Sequence, residues 1–590
     1  MSLRKHLEHF AQNTSMHGFG RVILTKKPEK RVAWVIVFLS AWALFAFQLT
    51  SVLATYFKYS KKTTIEFAAG GAPFPAITLC NMQSLDFYVI DKFLKRNESL
   101  RSNSNDSLKE TLGRDNSFAY HSKLLEEVLY RYWLLEKAQS SDFSDLNDMF
   151  SRTNFIANLP TEASNEIAIK QHEFVVKCKY GNSTCLFTEI PDPYYLRCFT
   201  FEPPQTRKTS FKNFKSLSEG VANGFSVIAF TGTKSIEDDI QEKLLPGVYE
   251  NGSALSGSSG IRVVIHPPGT EPFPLTEGYD VPPGYQASIG IVPERRKRLG
   301  KPYGLCARKN RYQKNYIDEI RGSDTEEQEP YRKISCERMC MQQKVINDCK
   351  CFDDTLPDMG NVDCNNENSC WLAKKKNRKG NDTGRGKIQT CRSIVSFEEC
   401  ALDDKCNVSI VADTLENIRC ADNIIETLMT DLKSLSKCNC YAPCDEFRYQ
   451  VSYSLAKWPS SGYEGRSVYA DIFKNGNFID RFTGDKREMY SNYVSRSGMQ
   501  SLNDFAKVNV YITDSNVMQI IEEPATTITQ LISEIGGQLG IWIGVSVITI
   551  SEVLETIMKI ATAGLKKLYR KFQPRTKDAD DKTQIESDLN

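Results

Sequence analysis

Cysteine is missing from residues 1–79 and from residues 445–590. Histidine is scarce throughout, with six in 590 residues. Neither sign of charge prevails: 75 Lys and Arg face 73 Asp and Glu, leaving a formal net charge of +2. Without a basic excess or a recognition module, nucleic acid is excluded as a partner. There is no GxxxxGK[ST] phosphate loop, no HExxH and no GxSxG elbow, which removes the usual nucleotide-hydrolysing, zinc-peptidase and serine-hydrolase chemistries. The reading is therefore not that of an enzyme, and no cofactor or metal is expected. Internal repeats are absent too.

What is present is concentrated. All eighteen cysteines lie between Cys80 and Cys444. An even, dense and confined set points to disulfides formed in an oxidising compartment. Zinc is the rival, but Cys349-Lys350-Cys351 and Cys438-Asn439-Cys440 are C-x-C pairs rather than C-x₂-C knuckles. Glycosylation sequons at Asn97, Asn105, Asn182, Asn251, Asn381 and Asn407 fall in the same central region. Each alone is weak; their coincidence with the cysteines is the argument.

Two apolar stretches flank that region. Val32–Phe57 carries no charge, and about 20 apolar residues span a bilayer, so it reads as a first transmembrane helix. The second runs from Ile528 to Ile560, with no charge between Ile535 and Ser551. Outside the two spans lie twelve basic residues, from Arg21 to Arg31 and from Lys559 to Lys577; on the inner flanks there are Lys58, Lys61 and Lys62. Positive residues stay in the cytoplasm. Both termini are thus expected inside and the centre outside, in a multi-pass plasma-membrane protein. The division is 1–31 cytoplasmic, 32–57 first span, 58–530 extracellular ligand-sensing domain, 531–560 second span and 561–590 cytoplasmic.

The second span is not a plain anchor. It holds Gly536, Gly537, Gly540 and Gly544, the triplet Gly544-Val545-Ser546, and the carboxylates Glu552 and Glu555. Intramembrane carboxylates are costly and generally functional. Small residues at 544–546 leave carbonyls and a hydroxyl to replace an ion's water. Gly536, Gly540 and Gly544 share one face of a continuous helix, a pattern that simple helix packing would also produce. Glu552 and Glu555, three apart, share a face and would form carboxylate rings about a pore axis.

Between the spans, alternation predicts strands at Phe225–Phe230, Ile261–His266 and Ala287–Val292, and a period of three to four predicts an amphipathic helix over Leu124–Leu135. A short strand is expected in Phe74–Asn81, and Lys507–Tyr511 also alternates. Arg295-Arg296-Lys297-Arg298 reads as a solvated loop, with a processing site as the alternative. Residues 371–420 read as a loop-rich insertion, and 573–590 as a charged, disordered tail.

His17-Gly18, FPAITLCN at 74–81, the Cys438-x-Cys440-x₃-Cys444 close and Gly-x-Ser at 544–546 together resemble the degenerin, epithelial sodium channel and acid-sensing channel superfamily, nearly end to end. The resemblance implies an α+β membrane protein with two transmembrane helices and a large disulfide-rich extracellular domain of palm, β-ball, knuckle, finger and thumb. It further implies a trimer, so two further subunits, and an amiloride-sensitive channel with sodium as permeant ion. By position, Gly544, Val545 and Ser546 would form the constriction, with Glu552 and Glu555 at the inner mouth. Ser533 and Glu534 would lie at the gate, and His17 and Gly18 in a cytoplasmic gating segment. Tyr59 and Tyr303 would couple thumb to wrist, the latter where Trp is usual.

The cysteine ladder implied by the resemblance is Cys80–Cys198, Cys178–Cys185, Cys306–Cys444, Cys336–Cys440, Cys340–Cys438, Cys349–Cys370 and Cys351–Cys364. Cys391, Cys400, Cys406 and Cys420 are left for an insertion. Acid-sensing members carry His just after the first helix, whereas Tyr59-Ser60-Lys61-Lys62 has none. That absence, the long segment between Cys80 and Cys178, and the extra cysteines favour the FMRFamide-gated branch and an extracellular peptide agonist. A proton-gated or constitutively active channel is the alternative. A non-channel surface receptor lies outside the class, and a nucleotide-gated two-span channel lacks motif support.

Overall fold

The computed structural model describes residues 10–12, 14–69, 73–83, 164–165, 167–203, 219–232, 258–308, 331–357, 362–365, 369–372, 386–392, 407–460 and 462–572. In chain order the elements used below are α1 (Phe19–Leu24), α2 (Pro28–Phe57), β1 (Lys61–Ala69), β2 (Ala76–Asn81), β3 (Val175–Tyr180), β4 (Phe187–Asp192), β5 (Leu196–Phe201), β6 (Phe225–Phe230), β7 (Ile261–His266), β8 (Tyr279–Val281) and β9 (Tyr285–Lys297). They continue with α3 (Lys333–Cys349), β10 (Cys351–Phe352), β11 (Val362–Asn365), β12 (Ser369–Leu372), β13 (Gly386–Thr390), α4 (Asn407–Thr430), β14 (Asp445–Lys457), α5 (Gly484–Ser497), β15 (Phe505–Ile512), β16 (Asn516–Pro524), α6 (Ile528–Gln538) and α7 (Val547–Phe572). The chain divides into two compact units, Met1–Lys62 with Glu522–Asn590, and Thr63–Ile521.

The first unit is helical. Helix α2 begins with Pro28 in its first turn, where the missing N–H costs no hydrogen bond. It is long and apolar enough to cross a membrane. Its residues Ile36, Val37, Leu39 and Phe47 are exposed, as a lipid-facing helix requires. Helix α6 opens with a capping box: Thr527 Oγ1 accepts from the Gln530 N–H, and Gln530 Oε1 accepts from the Thr527 N–H. Where the two chain crossings meet, Lys61 Nζ lies 2.6 Å from Glu522, Lys62 lies 3.2 Å from Glu523, and the Ala525 N–H donates to Ser60 O.

The second unit mixes α and β. Its largest sheet has the order β1-β16-β9-β15-β6-β3, with β14 also paired to β9. A second sheet runs β4-β5-β2-β7-β8 and a third β10-β13-β12-β11. Every second residue of β6, β9 and β15 points into one core, where Phe225, Val227, Ala287, Ile289, Val508 and Val510 are completely buried beside Ile77, Leu79, Phe199 and Phe201. β15 pairs in parallel with β9 and antiparallel with β6, and their other face carries half-buried residues such as Ser226, Ser288 and Lys507. A second cluster gathers Phe230, Trp458, Phe478, Phe482 and Phe505.

The basic run is not a loop. β9 continues through Arg295 and Arg296 to Lys297, paired residue for residue with β14 from Asp445 to Lys457. Arg295 binds both oxygens of Asp445 at 2.9 and 2.6 Å, Arg296 bonds Glu294, and Arg298 bonds Glu446 at 2.8 Å. Asp445 and Glu446 across the pair, and Glu294 on β9 itself, thus absorb the charges. A processing protease needs an extended, detached segment, which this paired strand does not offer.

Among the described residues there are seven disulfides and no free cysteine. Five pair as the resemblance implied: Cys80–Cys198, Cys178–Cys185, Cys306–Cys444, Cys336–Cys440 and Cys340–Cys438. Two do not. Cys349 joins Cys420, and Cys351 joins Cys391, correcting Cys349–Cys370 and Cys351–Cys364. The cause is topological. β10 pairs in parallel with β13, Cys351 opposite Gln389, which delivers Cys391 beside it. Cys420 sits on α4, whose Ala421, Ile424 and Leu428 share one cluster with Met341 and Val345 of α3. Cys364 and Cys370 instead stand opposite each other across the β11–β12 pair.

Asn182 is exposed in a turn. Asn407 opens α4. Asn97, Asn105, Asn251, Asn381, Cys400, Cys406, the 124–135 helix and the 573–590 tail lie outside the described residues.

Candidate pore and its flanking segment

The second apolar stretch is not one helix. Ile528–Ile543 and Val547–Thr562 are bent by 74° about the residues between them. The first half ends in a π-helical turn, Leu539–Ile543. Gly544 then adopts φ 71°, ψ 22°, the left-handed conformation that ends helices and favours glycine. The widened turn and the break together undo the expected alignment of Gly536, Gly540 and Gly544 on one face. A Cβ at Gly536, Gly537 or Gly540 would meet nothing within 4 Å, whereas one at Gly544 would lie 2.5 Å from His17 Cγ.

That contact brings the N-terminal motif to the break. The His17 N–H donates to Ile543 O at 2.8 Å, the last carbonyl before Gly544. Gly18 has φ 78° and precedes α1, so the chain turns sharply there and runs into α2. Two positions upstream of His17, Ser15 Oγ lies 2.5 Å from Thr549 Oγ1, and the Ser15 N–H donates to Glu552 Oε2 at 3.3 Å. Thr549 is buried. Its Oγ1 accepts from the Ser546 N–H at 3.1 Å, and Ser546 Oγ is 3.4 Å from the Thr549 N–H. This reciprocal pair satisfies otherwise orphaned amides at the start of α7.

The remaining site residues are more dispersed. Ser533 and Glu534 are exposed on α6. Glu552 is half-buried, while Glu555 is exposed and ion-paired with Lys559 at 2.6 Å on its own helix. Tyr59 takes φ 50° just after α2, its ring against Tyr56 and Phe57. Tyr303 lies in a turn of the second unit, its N–H bonded to Gly300 O.

Four residues at this site carry no expectation from the sequence: Ser15 and Thr549, and Gln48 and Trp542, whose side chains meet where Gln48 Oε1 accepts from Trp542 Nε1 at 2.7 Å. Ser546-x-x-Thr549 has helix-start spacing and was legible as such. Gln48 is the one amide in 26 uncharged residues, a signal of equal clarity. Trp542 gave no signal, because its role depends on the π-helical turn.

Residues 10–556 match the family described as amiloride-sensitive sodium channel, and the chain belongs to that family. It is 22% identical to the FMRFamide-activated amiloride-sensitive sodium channel of Cornu aspersum, over 94% of this chain and 83% of the relative. It is 23% identical to the epithelial sodium channel subunit alpha of Neoceratodus forsteri, over 98% of this chain and 83% of the relative. Degenerin deg-1 of Caenorhabditis elegans is 28% identical over 71% of this chain and 44% of its own length. The family is one of ion channels, with sodium as the implied permeant ion and the plasma membrane as the implied location.

Proposed function

We propose that this chain is one subunit of a trimeric sodium-selective channel, opened by an extracellular RFamide-type peptide and blocked by amiloride. Residues 1–31 and 561–590 lie in the cytoplasm in this reading, and the disulfide-rich unit faces outward as palm, β-ball, knuckle, finger and thumb. The observation that carries it is the break at Gly544-Val545-Ser546 with His17 bonded against it. A kinked helix exposes carbonyls that a straight one hides, and three copies around an axis would turn them toward a permeating ion. Glu552 and Glu555 would add carboxylate rings below. Ser533 and Glu534 would lie at the gate above, and Tyr59 with Tyr303 would carry motion from thumb to wrist. The likeness to the FMRFamide-activated relative supports the peptide agonist.

In oocytes under voltage clamp, FMRFamide is expected to evoke an inward sodium current that amiloride blocks. Silence to a panel of RFamide peptides, to acid steps and to bulky-thiol modification of Ser533→Cys would sink the channel reading.

A second reading, modulation by protons, has its own support. Asp354 is buried beside Asp353 and Arg392, and burial pushes its carboxyl up to about 7. Burial likewise raises Asp504 to about 7, beside the Tyr493 hydroxyl. Both carboxyls change charge across mild acidity. His266 is no sensor: it is buried between Thr78 and Thr270, and its imidazole is held down to about 3. Acid steps without peptide separate the two readings, since proton gating expects current and peptide gating expects none.

A further inference from the structure

The first apolar helix must satisfy its polar side chains without water. Ser40 Oγ donates to Ile36 O at 2.9 Å, Thr50 Oγ1 to Phe47 O at 2.7 Å and Thr55 Oγ1 to Ser51 O at 2.9 Å. Each hydroxyl is thus absorbed by its own helix. Gln48 is not: its Oε1 accepts from Trp542 Nε1 at 2.7 Å, 494 residues away in sequence. The same indole N–H is shared with Gln538 Oε1 at 3.0 Å, one turn earlier on its own helix.

The location of this three-centre bond matters. Trp542 lies in the π-helical turn Leu539–Ile543, two residues before Gly544. The peptide that follows its Cα leads to Ile543, whose carbonyl accepts the His17 N–H. A rotation of the turn that carries the indole away from Gln48 therefore displaces the carbonyl that holds His17 and the Gly544 hinge with it. The geometry also separates position from stability. When Gln48 is lost, Gln538 still accepts the indole N–H, so no donor is orphaned in the apolar region. What is lost is the tie to the first helix.

From this we infer that Gln48, with Trp542 and Gln538, forms a clamp across the two spans that fixes the turn before Gly544 and so sets the width of the 544–546 constriction. Gln48 is a positioning residue: it acts through Trp542 on carbonyls that ions meet. The inference rests on the proposed reading of 544–546 as the constriction.

The test uses the full chain in oocytes on a Ser533→Cys background, opened with a bulky thiol reagent so that no agonist is needed. Gln48→Leu and Trp542→Phe are each expected to shift the sodium-to-potassium permeability ratio by about threefold, the worth of one interhelical hydrogen bond. The double variant is expected to shift it no further than either single change. A merely structural role would lower surface expression and current but leave the reversal potential at the parental value. Parental reversal potentials in both variants, or additive shifts, overturn the inference. A second arm needs no current: Gln48→Cys with Trp542→Cys, treated in membranes with a bifunctional thiol reagent whose spacer replaces the two long side chains removed, is expected to give a cross-linked peptide pair. Absence of that cross-link overturns the clamp. A cross-link in chains that carry no current, the parent included, supports the clamp and overturns the pore reading instead.

Discussion

The two units of this chain are held together by different physics. In the disulfide-rich unit, core residues such as Phe225, Val227, Ile289 and Val508 are wholly buried, and among the described residues seven bridges include ties of strand to strand, helix to loop and helix to helix. In the helical unit there is no cysteine at all. Its large side chains, Phe47, Ile541 and Val547 among them, are exposed, and the ties between its segments are scattered polar contacts: the Lys61–Glu522 pair, the Trp542–Gln48 bond, Ser15 on Thr549 and the His17 contact. Lipid must cover those side chains, and lipid supplies no hydrophobic drive between helices. The rigid unit resists deformation, and the loosely tied one has a hinge. Under the proposed function, the braced unit would sense the agonist and the helical unit would move.

The largest effect is expected where burial is deepest. Replacing Phe225 by Ala is expected to cost about 3–5 kcal/mol, because the β6, β9 and β15 core cannot collapse around the void. Loss of surface protein in a trafficking assay checks it. The buried pair comes next. Arg392 meets Asp353 at 2.9 Å and Asp422 at 2.5 Å. Arg392→Met takes from the buried Asp353 the guanidinium that grips both its oxygens, at a cost of about 3–5 kcal/mol, read as a lowered thermal midpoint.

The pH response of Asp354 is a smaller effect with a definite sign. Its folded pKa is raised, so the contribution is fully present below the unfolded carboxyl value of about 4 and is lost as pH rises through about 7. Hydrogen exchange in 351–357 is expected to accelerate from pH 5.5 to pH 8.5 beyond the intrinsic trend, and Asp354→Asn to abolish that excess. An unchanged excess in Asp354→Asn would remove Asp354 from the account. The smallest effect belongs to the surface: Lys177, paired with Asp471 at 2.5 Å but exposed, is expected to change stability by less than about 1 kcal/mol on Lys177→Ala, read as an unshifted thermal midpoint.

Much of this contrast was legible in the residues. Uncharged runs located both apolar stretches, and alternation located β6, β7 and β15. Local pattern did not reveal what depends on distant partners. The basic run looked like a loop because Asp445 and Glu446, which neutralise it, lie some 150 positions later. The resemblance assigned Cys349 and Cys351 to Cys370 and Cys364, and nothing local shows that β13 and α4 bring Cys391 and Cys420 to them instead. The 544–546 triplet was found from its small residues, yet the π-helical turn beside it was invisible. Period 3.6 describes only a helix that continues.

The left-handed glycine at the break is the sharpest probe of the constriction. Gly544→Ala forces a Cβ into the left-handed region and against the His17 ring. With surface density matched to the parent, the ratio of sodium to potassium permeability, taken from reversal potentials, is expected to collapse toward unity or the current to vanish. A parental ratio with parental current in Gly544→Ala would contradict the assignment of the break as the constriction.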